Sequence, residues 1–334
     1  MKKYVLQVFD GEKNTAGDKA KKDVTNILLK DNFTVVDIRL KHSKLGKLLF
    51  TDYEIDKKIK AIDSGDVFVV QYPMYSRFAT QKLLNKCRQR GIRTIGFVHD
   101  IESLRLFYDN SKKINDELSI LNKFDCVISH NSVMEKWLKK NGILTNIVNL
   151  QIFDYLNKTP LVEVEKSMDV VFAGNLAKAS FLSKWSNTKK VILYGVHASD
   201  EYPSNVLYKG VKDPDELTKY LSGSFGLVWD GSSMVTNDGI FGKYTMYNNP
   251  HKTSLYLSSG LPVIVWSKAA IADFVKKNDL GIVISDLSDL DGVLLKVSDS
   301  EYARIVANVN EMSKKLREGF FTKKAISKAI NLIR

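Results

Sequence analysis

Short, β-branched apolar runs alternate with longer amphipathic stretches along the whole chain. In the front half the runs are residues 4–9, 34–38, 67–71, 94–99 and 126–129. Between them, apolar residues recur at helical spacing over residues 18–30, 79–89, 114–122 and 132–140. A run that is apolar throughout, and not only at alternate positions, is buried on both faces. Joined by helices, such runs predict a parallel sheet. The pattern restarts in the back half. Strands are predicted at residues 169–173, 190–194, 205–208, 226–229, 262–265 and 281–284, and helices over residues 215–221, 252–258, 268–277 and 300–316.

Two such halves predict an α/β chain of two Rossmann-like, doubly wound domains facing across a cleft. The stretch between them, residues 154–167 (DYLNKTPLVEVEKS), contains Pro160, carries several charges and lacks a period. The expected domains are residues 1–155, which would take the acceptor, and residues 166–318, which would take a nucleotide-linked donor. Residues 319–334 form an amphipathic helix after a break at Gly319, expected to pack back on the first domain. In doubly wound sheets ligands bind outside the carboxyl ends of the strands, so the loops after strands are where chemistry is expected.

Composition narrows the class. The 334 residues suit two domains, and 44% hydrophobic with 26% charged residues is ordinary for a globular chain. The net charge of +12 favours anions. No helix-turn-helix, zinc-finger spacing or RNA-binding aromatic motif accompanies it, so no nucleic-acid partner is expected. Nucleotide phosphates remain, as does a peripheral contact with an anionic inner membrane surface. Cys87 and Cys126 lie in apolar segments outside any metal-binding spacing, as buried thiols of a cytoplasmic protein do. The opening MKKYVLQVFDGEKN reads as a first strand and not as a signal peptide.

Three loops of the first domain are candidates. DGEKNTAG (residues 10–17) reads either as a glycine turn or as an anion-binding approach to a helix, with Thr15 and Gly17 meeting the sugar or phosphate. QYPMYSR (residues 71–77) reads either as packing at the sheet edge or as an acceptor platform of Tyr72, Pro73, Met74 and Tyr75. In HDIESLR (residues 99–105), Asp100 is either a cap with Ser103 or Arg105 as partner, or the carboxylate that takes the acceptor's proton.

In the second domain, FAGNLAKASF (residues 172–181) runs from a strand through Asn175 into an expected helix. There Lys178 in the first turn suits a diphosphate or is simply solvated. Tyr194 after one strand is a candidate nucleobase neighbour. Asp230 and Gly231 after another are candidates to line the sugar or the base. The richest segment is YNNPHKTSLYLSSGLPVIVW (residues 247–266). Asn248, Asn249 and Pro250 form a turn, and His251, Lys252 and Thr253 open a helix whose free N–H groups would cradle a diphosphate. No acidic residue occurs from Gly239 to Ala272, so no local carboxylate repels phosphate. There is no DxD after a strand, no Walker loop, no GxSxG and no HExxH. No metal cofactor is therefore expected. A nucleotide-sugar epimerase would need acid–base groups around the donor, where only His197, His251 and Asp230 fall.

Five pieces, NTAG (residues 14–17), QYPMYS (71–76), VHDIESLR (98–105), FAGNL with Lys178, and YNNPHK (247–252), resemble the GT-B glycosyltransferases. They are most similar to a galactofuranosyltransferase-like family that includes the accessory glucosyltransferase of serine-rich-repeat adhesin glycosylation. The resemblance implies transfer of a hexose, glucose in the first instance, from a UDP-sugar to an O-linked N-acetylglucosamine on such an adhesin. It implies a homo-oligomer acting in the cytoplasm, Lys178 and Lys252 on the diphosphate, Tyr194 and the Asn248–Asn249 region on uridine, and Tyr72–Tyr75 as an acceptor loop. One departure is that residues 252–259 hold no carboxylate, where many retaining relatives of the fold use a glutamate on ribose. The alternative is a catalytically silent, transferase-like subunit that recognises glycosylated substrate.

Overall fold

The computed structural model describes residues 1–9, 16–39, 44–74, 76–161 and 166–334, with side chains for all of these except residues 8, 9, 16, 39 and 44–51. Thr15 and Tyr75 lie outside the described residues. The chain divides into two compact units, Met1–Leu150 with Phe321–Arg334, and Gln151–Phe320, so residues 151–155 go with the second unit.

The first unit runs β1 (Lys3–Phe9), α1 (Ala16–Lys30), β2 (Thr34–Arg39), α2 (Lys44–Ile59), β3 (Val67–Tyr72), α3 (Arg77–Gln89), β4 (Arg93–Val98), α4 (Glu102–Leu106), α5 (Ser111–Leu121), β5 (Cys126–Ser129), α6 (Ser132–Lys140) and β6 (Asn146–Asn149). Among the described residues its strands form one six-stranded sheet in the order β2-β1-β3-β4-β5-β6, every pair parallel. β3 is buried at every position, as its unbroken VFVVQY run requires.

The second unit runs β7 (Val170–Ala173), β8 (Val191–Tyr194), β9 (Val206–Tyr208), α7 (Pro214–Leu217), β10 (Phe225–Val228), α8 (Gly239–Tyr244), α9 (His251–Ser258), β11 (Val263–Trp266), α10 (Ala272–Lys277), β12 (Gly281–Ile284), α11 (Leu290–Leu295) and α12 (Asp299–Arg317). Its sheet is also six-stranded and parallel, in the order β12-β11-β10-β7-β8-β9. The final helix, α13 (Phe320–Leu332), carries the chain back into the first unit. No helix among the described residues is long and apolar enough to cross a membrane.

One feature of the second core bears on the site. The Tyr256 ring of α9 lies over Gly226 of β10, where a Cβ would come within 2.2 Å of it. The same phenol accepts a hydrogen bond from the Ala173 N–H at 2.7 Å. A glycine inside a strand thus admits an aromatic ring that locks α9 onto β7 and β10.

Candidate functional site

The strand order of the second sheet reverses between β7 and β10. Strands β7, β8 and β9 build outwards in one direction, and β10, β11 and β12 in the other. Such a switch point opens a crevice at the carboxyl ends of its two central strands. Lys252, the second residue of α9, projects into it. Its Nζ donates to the Trp229 carbonyl at 3.2 Å and to Asp230 Oδ1 at 2.8 Å, both just past β10, and lies 4.3 Å from the ring centroid of Phe172 in β7. The Lys252 and Asp230 side chains are 14% and 16% exposed, so the pair is largely out of water. The absence of acid within residues 239–272 therefore misled. The carboxylate beside Lys252 comes from another loop.

That loop is a backbone junction. The Gly231 N–H donates to the Lys178 carbonyl at 2.7 Å, and the Gly231 carbonyl accepts from the Phe181 N–H at 3.3 Å. Gly231 has φ +125°, and a Cβ there would meet Asp238 Oδ1 at 2.1 Å. Asp238 accepts from the Ser232 N–H and, at 2.7 Å, from Ser232 Oγ. Burial pushes its carboxyl up, but the Ser232 hydrogen bonds outweigh this and hold it below the usual range. Asp230 is thus bonded to the Lys252 side chain and Gly231 to the Lys178 backbone.

Residues 176–184 form two 3₁₀ turns, Leu176–Lys178 and Ser180–Lys184, and not the expected helix. Short 3₁₀ turns align fewer peptide dipoles than the expected helix, so charge misplacement at a helix start is a weaker pointer to an anion at Lys178. Lys178 Nζ sits instead 3.9 Å from the Phe241 ring centroid. Asn175 caps the first turn through the Ala177 N–H at 3.0 Å and meets His197 Nδ1 at 3.1 Å. The approach of β7 to β8 is close: a Cβ on Gly195, at φ +151°, would fall 1.7 Å from the Gly174 carbonyl oxygen.

The other donor candidates divide. Tyr194 is buried and its hydroxyl donates to the Tyr220 carbonyl at 2.9 Å, inside the unit. Burial, then Tyr220, push its phenol up. Asn249 is buried and donates to the Gln151 carbonyl at 3.0 Å. The His251 ring packs on Phe153 and Tyr155, with centroids 5.9 and 5.1 Å apart. Pro250 is the N-cap residue of α9 and supplies no side-chain cap. Asn248 Oδ1 and Thr253 Oγ1 are buried without a hydrogen-bond partner. Gly17, in the first turn of α1, is exposed.

In the first unit the acceptor platform does not form from Tyr72 and Met74. Both are buried, because the apolar character of this segment continues the strand into the core. Tyr72 Oη donates to Glu117 Oε1 at 2.9 Å. Burial and the adjacent carboxylate push its phenol well up. Glu117, buried on α5, also accepts from the Glu102 and Ser103 N–H groups at 3.1 and 2.6 Å, holding the start of α4. The Pro73 carbonyl accepts from Lys21 Nζ at 2.9 Å. Asp100, at the end of β4, pairs with Arg105 at 2.9 Å while both remain partly exposed. Behind it, Gln71 Oε1 meets His99 Nε2 at 2.9 Å. The buried His130 hydrogen-bonds the backbone of His99 and Val98, and burial lowers its pKa to about 4. Among the described residues no cluster of three or more His, Cys, Asp or Glu is arranged to hold a metal ion.

Two parallel, doubly wound six-stranded sheets in one chain are the GT-B fold of glycosyltransferases. A solved α-glucosyltransferase in complex with UDP matches with a TM-score of 0.61 over 99% of this chain and 100% of that one, at 11% identity. Trehalose-6-phosphate synthase OtsA matches at 0.58 over 98% and 99%, also at 11% identity. Residues 2–152 match the N-terminal domain, and residues 170–329 the C-terminal domain, of the family described as glucosyltransferase 3-like. The chain belongs to that family and is a glycosyltransferase. It is 32% identical to the β-1,6-galactofuranosyltransferase WbbI of Escherichia coli (strain K12), over 98% of each chain. It is 27% identical to glucosyltransferase 3 of Streptococcus gordonii, over 83% of this chain and 82% of the relative.

Proposed function

We propose that the protein transfers a hexosyl group from a UDP-sugar to a sugar acceptor, with the donor held by the second unit. Lys252 carries this reading. A largely buried ammonium stands at the switch point of a doubly wound sheet, in the first turn of a buried helix. The buried, unpartnered Thr253 Oγ1 and Asn248 Oδ1 lie on the same segment. Buried polar atoms without partners call for an explanation, and a ligand that completes their hydrogen bonding is one. As the glycosidic C–O bond breaks, negative charge collects on the leaving diphosphate. Lys252 and Lys178 stabilise it there without a metal ion. Asp100 is the proposed base, accepting the proton of the acceptor hydroxyl.

The finer reading is glucose passed to an O-linked N-acetylglucosamine of a serine-rich-repeat adhesin, in the cytoplasm, by a homo-oligomer. Its support is the likeness to the streptococcal relatives, whose name is glucosyltransferase. The name of the Escherichia coli relative points to galactofuranose, so the donor series must contain both. Thermal shift with UDP, UDP-glucose, UDP-galactose, UDP-galactofuranose and UDP-N-acetylglucosamine is the first test, followed by product analysis on a peptide bearing N-acetylglucosamine. One UDP-sugar should raise the melting temperature and be consumed. Silence with every UDP ligand would sink the enzyme reading in favour of a substrate-recognising partner subunit.

A further inference from the structure

The edge of the first unit that carries Asp100 also carries an exposed surface to which the proposed reaction assigns no role. At the end of α4 and in the turn into α5, Leu106 and Phe107 are each 39% exposed and Tyr108 is 55% exposed. Phe78, in the first turn of α3, is 39% exposed. Cations accompany the rings: Lys113 Nζ lies 5.5 Å from the Phe107 centroid, and Lys82 Nζ 5.6 Å from that of Phe78. These positions belong together. α3 follows β3, and α4 with α5 follows the adjacent β4, so α3 and α5 both begin at the carboxyl edge of the sheet. The two helices pack side by side, with Lys123 just past α5 bonded to Asn85 of α3 at 2.9 Å. Neither helix has an acidic residue in its first turn, where Arg77, Lys112 and Lys113 stand. Cations at helix starts are unfavourable unless an anion meets them.

We propose that this surface docks the protein on an anionic lipid bilayer. Leucine and aromatic side chains suit the boundary between headgroups and acyl chains. Lysines beside them bury their stems and leave their ammonium groups among lipid phosphates. A carbohydrate-binding platform would need carboxylates and amides for sugar hydroxyls. In residues 106–113 the only carboxylate is that of Asp109 and the only amide that of Asn110, whose Oδ1 is spent capping α5 through the Lys113 N–H at 3.0 Å. Asp52 lies 3.5 Å from Lys82 and Asp109 lies just before α5, so Arg77, Lys112 and Lys113 supply the positive excess of the patch. The net charge of +12 has the sign required. Because Asp100 is on the same edge, a docked bilayer brings its surface next to the proposed base.

The test is co-sedimentation of the full chain with phosphatidylcholine vesicles with and without phosphatidylglycerol. The protein should pellet only with the anionic vesicles and be released by salt. Lys112→Gln/Lys113→Gln should weaken that binding about 25-fold, about fivefold per lysine. Phe107→Ser/Tyr108→Ser should weaken it at least about tenfold. In both variants the melting temperature and the thermal shift with UDP should stay as in the parent, which separates lost docking from lost folding. A parent protein that ignores anionic vesicles overturns the proposal, as do variants that bind them undiminished. So does a rise in acceptor KM in these variants without any vesicle binding, which would make the surface a carbohydrate platform.

Discussion

Replacing Lys252 by methionine keeps most of the stem against Phe172 and deletes the charge that lies 2.8 Å from Asp230 Oδ1. At that separation the Coulomb attraction is about 6 kcal/mol at an effective dielectric constant of about 20. Much of this is offset by the cost of removing both ions from water. Deleting one partner is a different matter, because the Asp230 carboxylate is then buried and uncompensated. Such losses run at about 3–5 kcal/mol, and the residual exposure of this pair places the cost near the lower end. Adding Asp230→Asn removes the orphan charge, so the double variant should recover about 2 kcal/mol of the loss.

Activity should not recover with it. On the proposed donor site the diphosphate needs the ammonium, so kcat/KM for the UDP-sugar should fall about 10²- to 10³-fold in the single variant and stay low in the double. Urea denaturation reads the stability, and steady-state turnover of the UDP-sugar reads the activity. A folded Lys252→Met protein with near-parental turnover would refute the donor-site assignment. If the double variant regained both stability and turnover, Lys252 would be an internal strut and nothing more.

His130, neutral in the fold with a pKa near 4, binds its proton more readily once unfolded, at the ordinary value of 6.5. The unfolded chain therefore carries more protons in that window, and stability should fall by about 2 kcal/mol from pH 8 to pH 5, a slope that melting curves should show reduced in His130→Gln. Gly195→Ala puts a Cβ 1.7 Å from the Gly174 carbonyl oxygen at φ +151°, and should lower the melting temperature and weaken UDP binding in a titration. Glu117→Gln sets an amide donor among the donors Tyr72 Oη, Glu102 N–H and Ser103 N–H, and should cost about 2 kcal/mol in urea denaturation while raising acceptor KM more than donor KM. Turnover should be unchanged by a chelator, because in the proposed reaction the lysines supply the positive charge at the leaving group; loss with EDTA and rescue by a divalent cation would contradict that.

Most of the fold could be read from the chain because most of its inner strands are buried on both faces and so write themselves as unbroken apolar runs. β6, with the run NIVN, escaped because an edge strand is only half buried and tolerates polar residues. α2 hid behind its lysines, which read as charge clusters. The site was legible only as far as its loops follow strands. Lys252 was visible, but its partner Asp230 lies 22 residues away, brought close by the packing of α9 on β10. Tyr72 was misplaced for a similar reason. A tyrosine in a loop-like motif looks available until its acceptor, Glu117, arrives from 45 residues along the chain. In both cases a long-range partner decided the role. Placing β10 beside β7 would have pointed to the crevice, but strand order is not written in hydropathy.

The two charged groups central to the proposed reaction are each half of an ion pair, and the pairs differ in wetness. Lys252 and Asp230 are 14% and 16% exposed, whereas Arg105 and Asp100 are 26% and 31% exposed. Charges in the drier site interact more strongly, so an entering diphosphate gains more there. Lys252 has three N–H donors and gives hydrogen bonds to Trp229 and Asp230. It can therefore meet a phosphate oxygen without first leaving Asp230, and that carboxylate keeps the ammonium compensated and aimed when no donor is bound. The wetter pair suits the opposite requirement. Asp100 must trade its guanidinium partner for an acceptor hydroxyl, and a more exposed pair is cheaper to rearrange. A fixed cation for the leaving group and an adjustable carboxylate for the acceptor follow from the same measure of exposure.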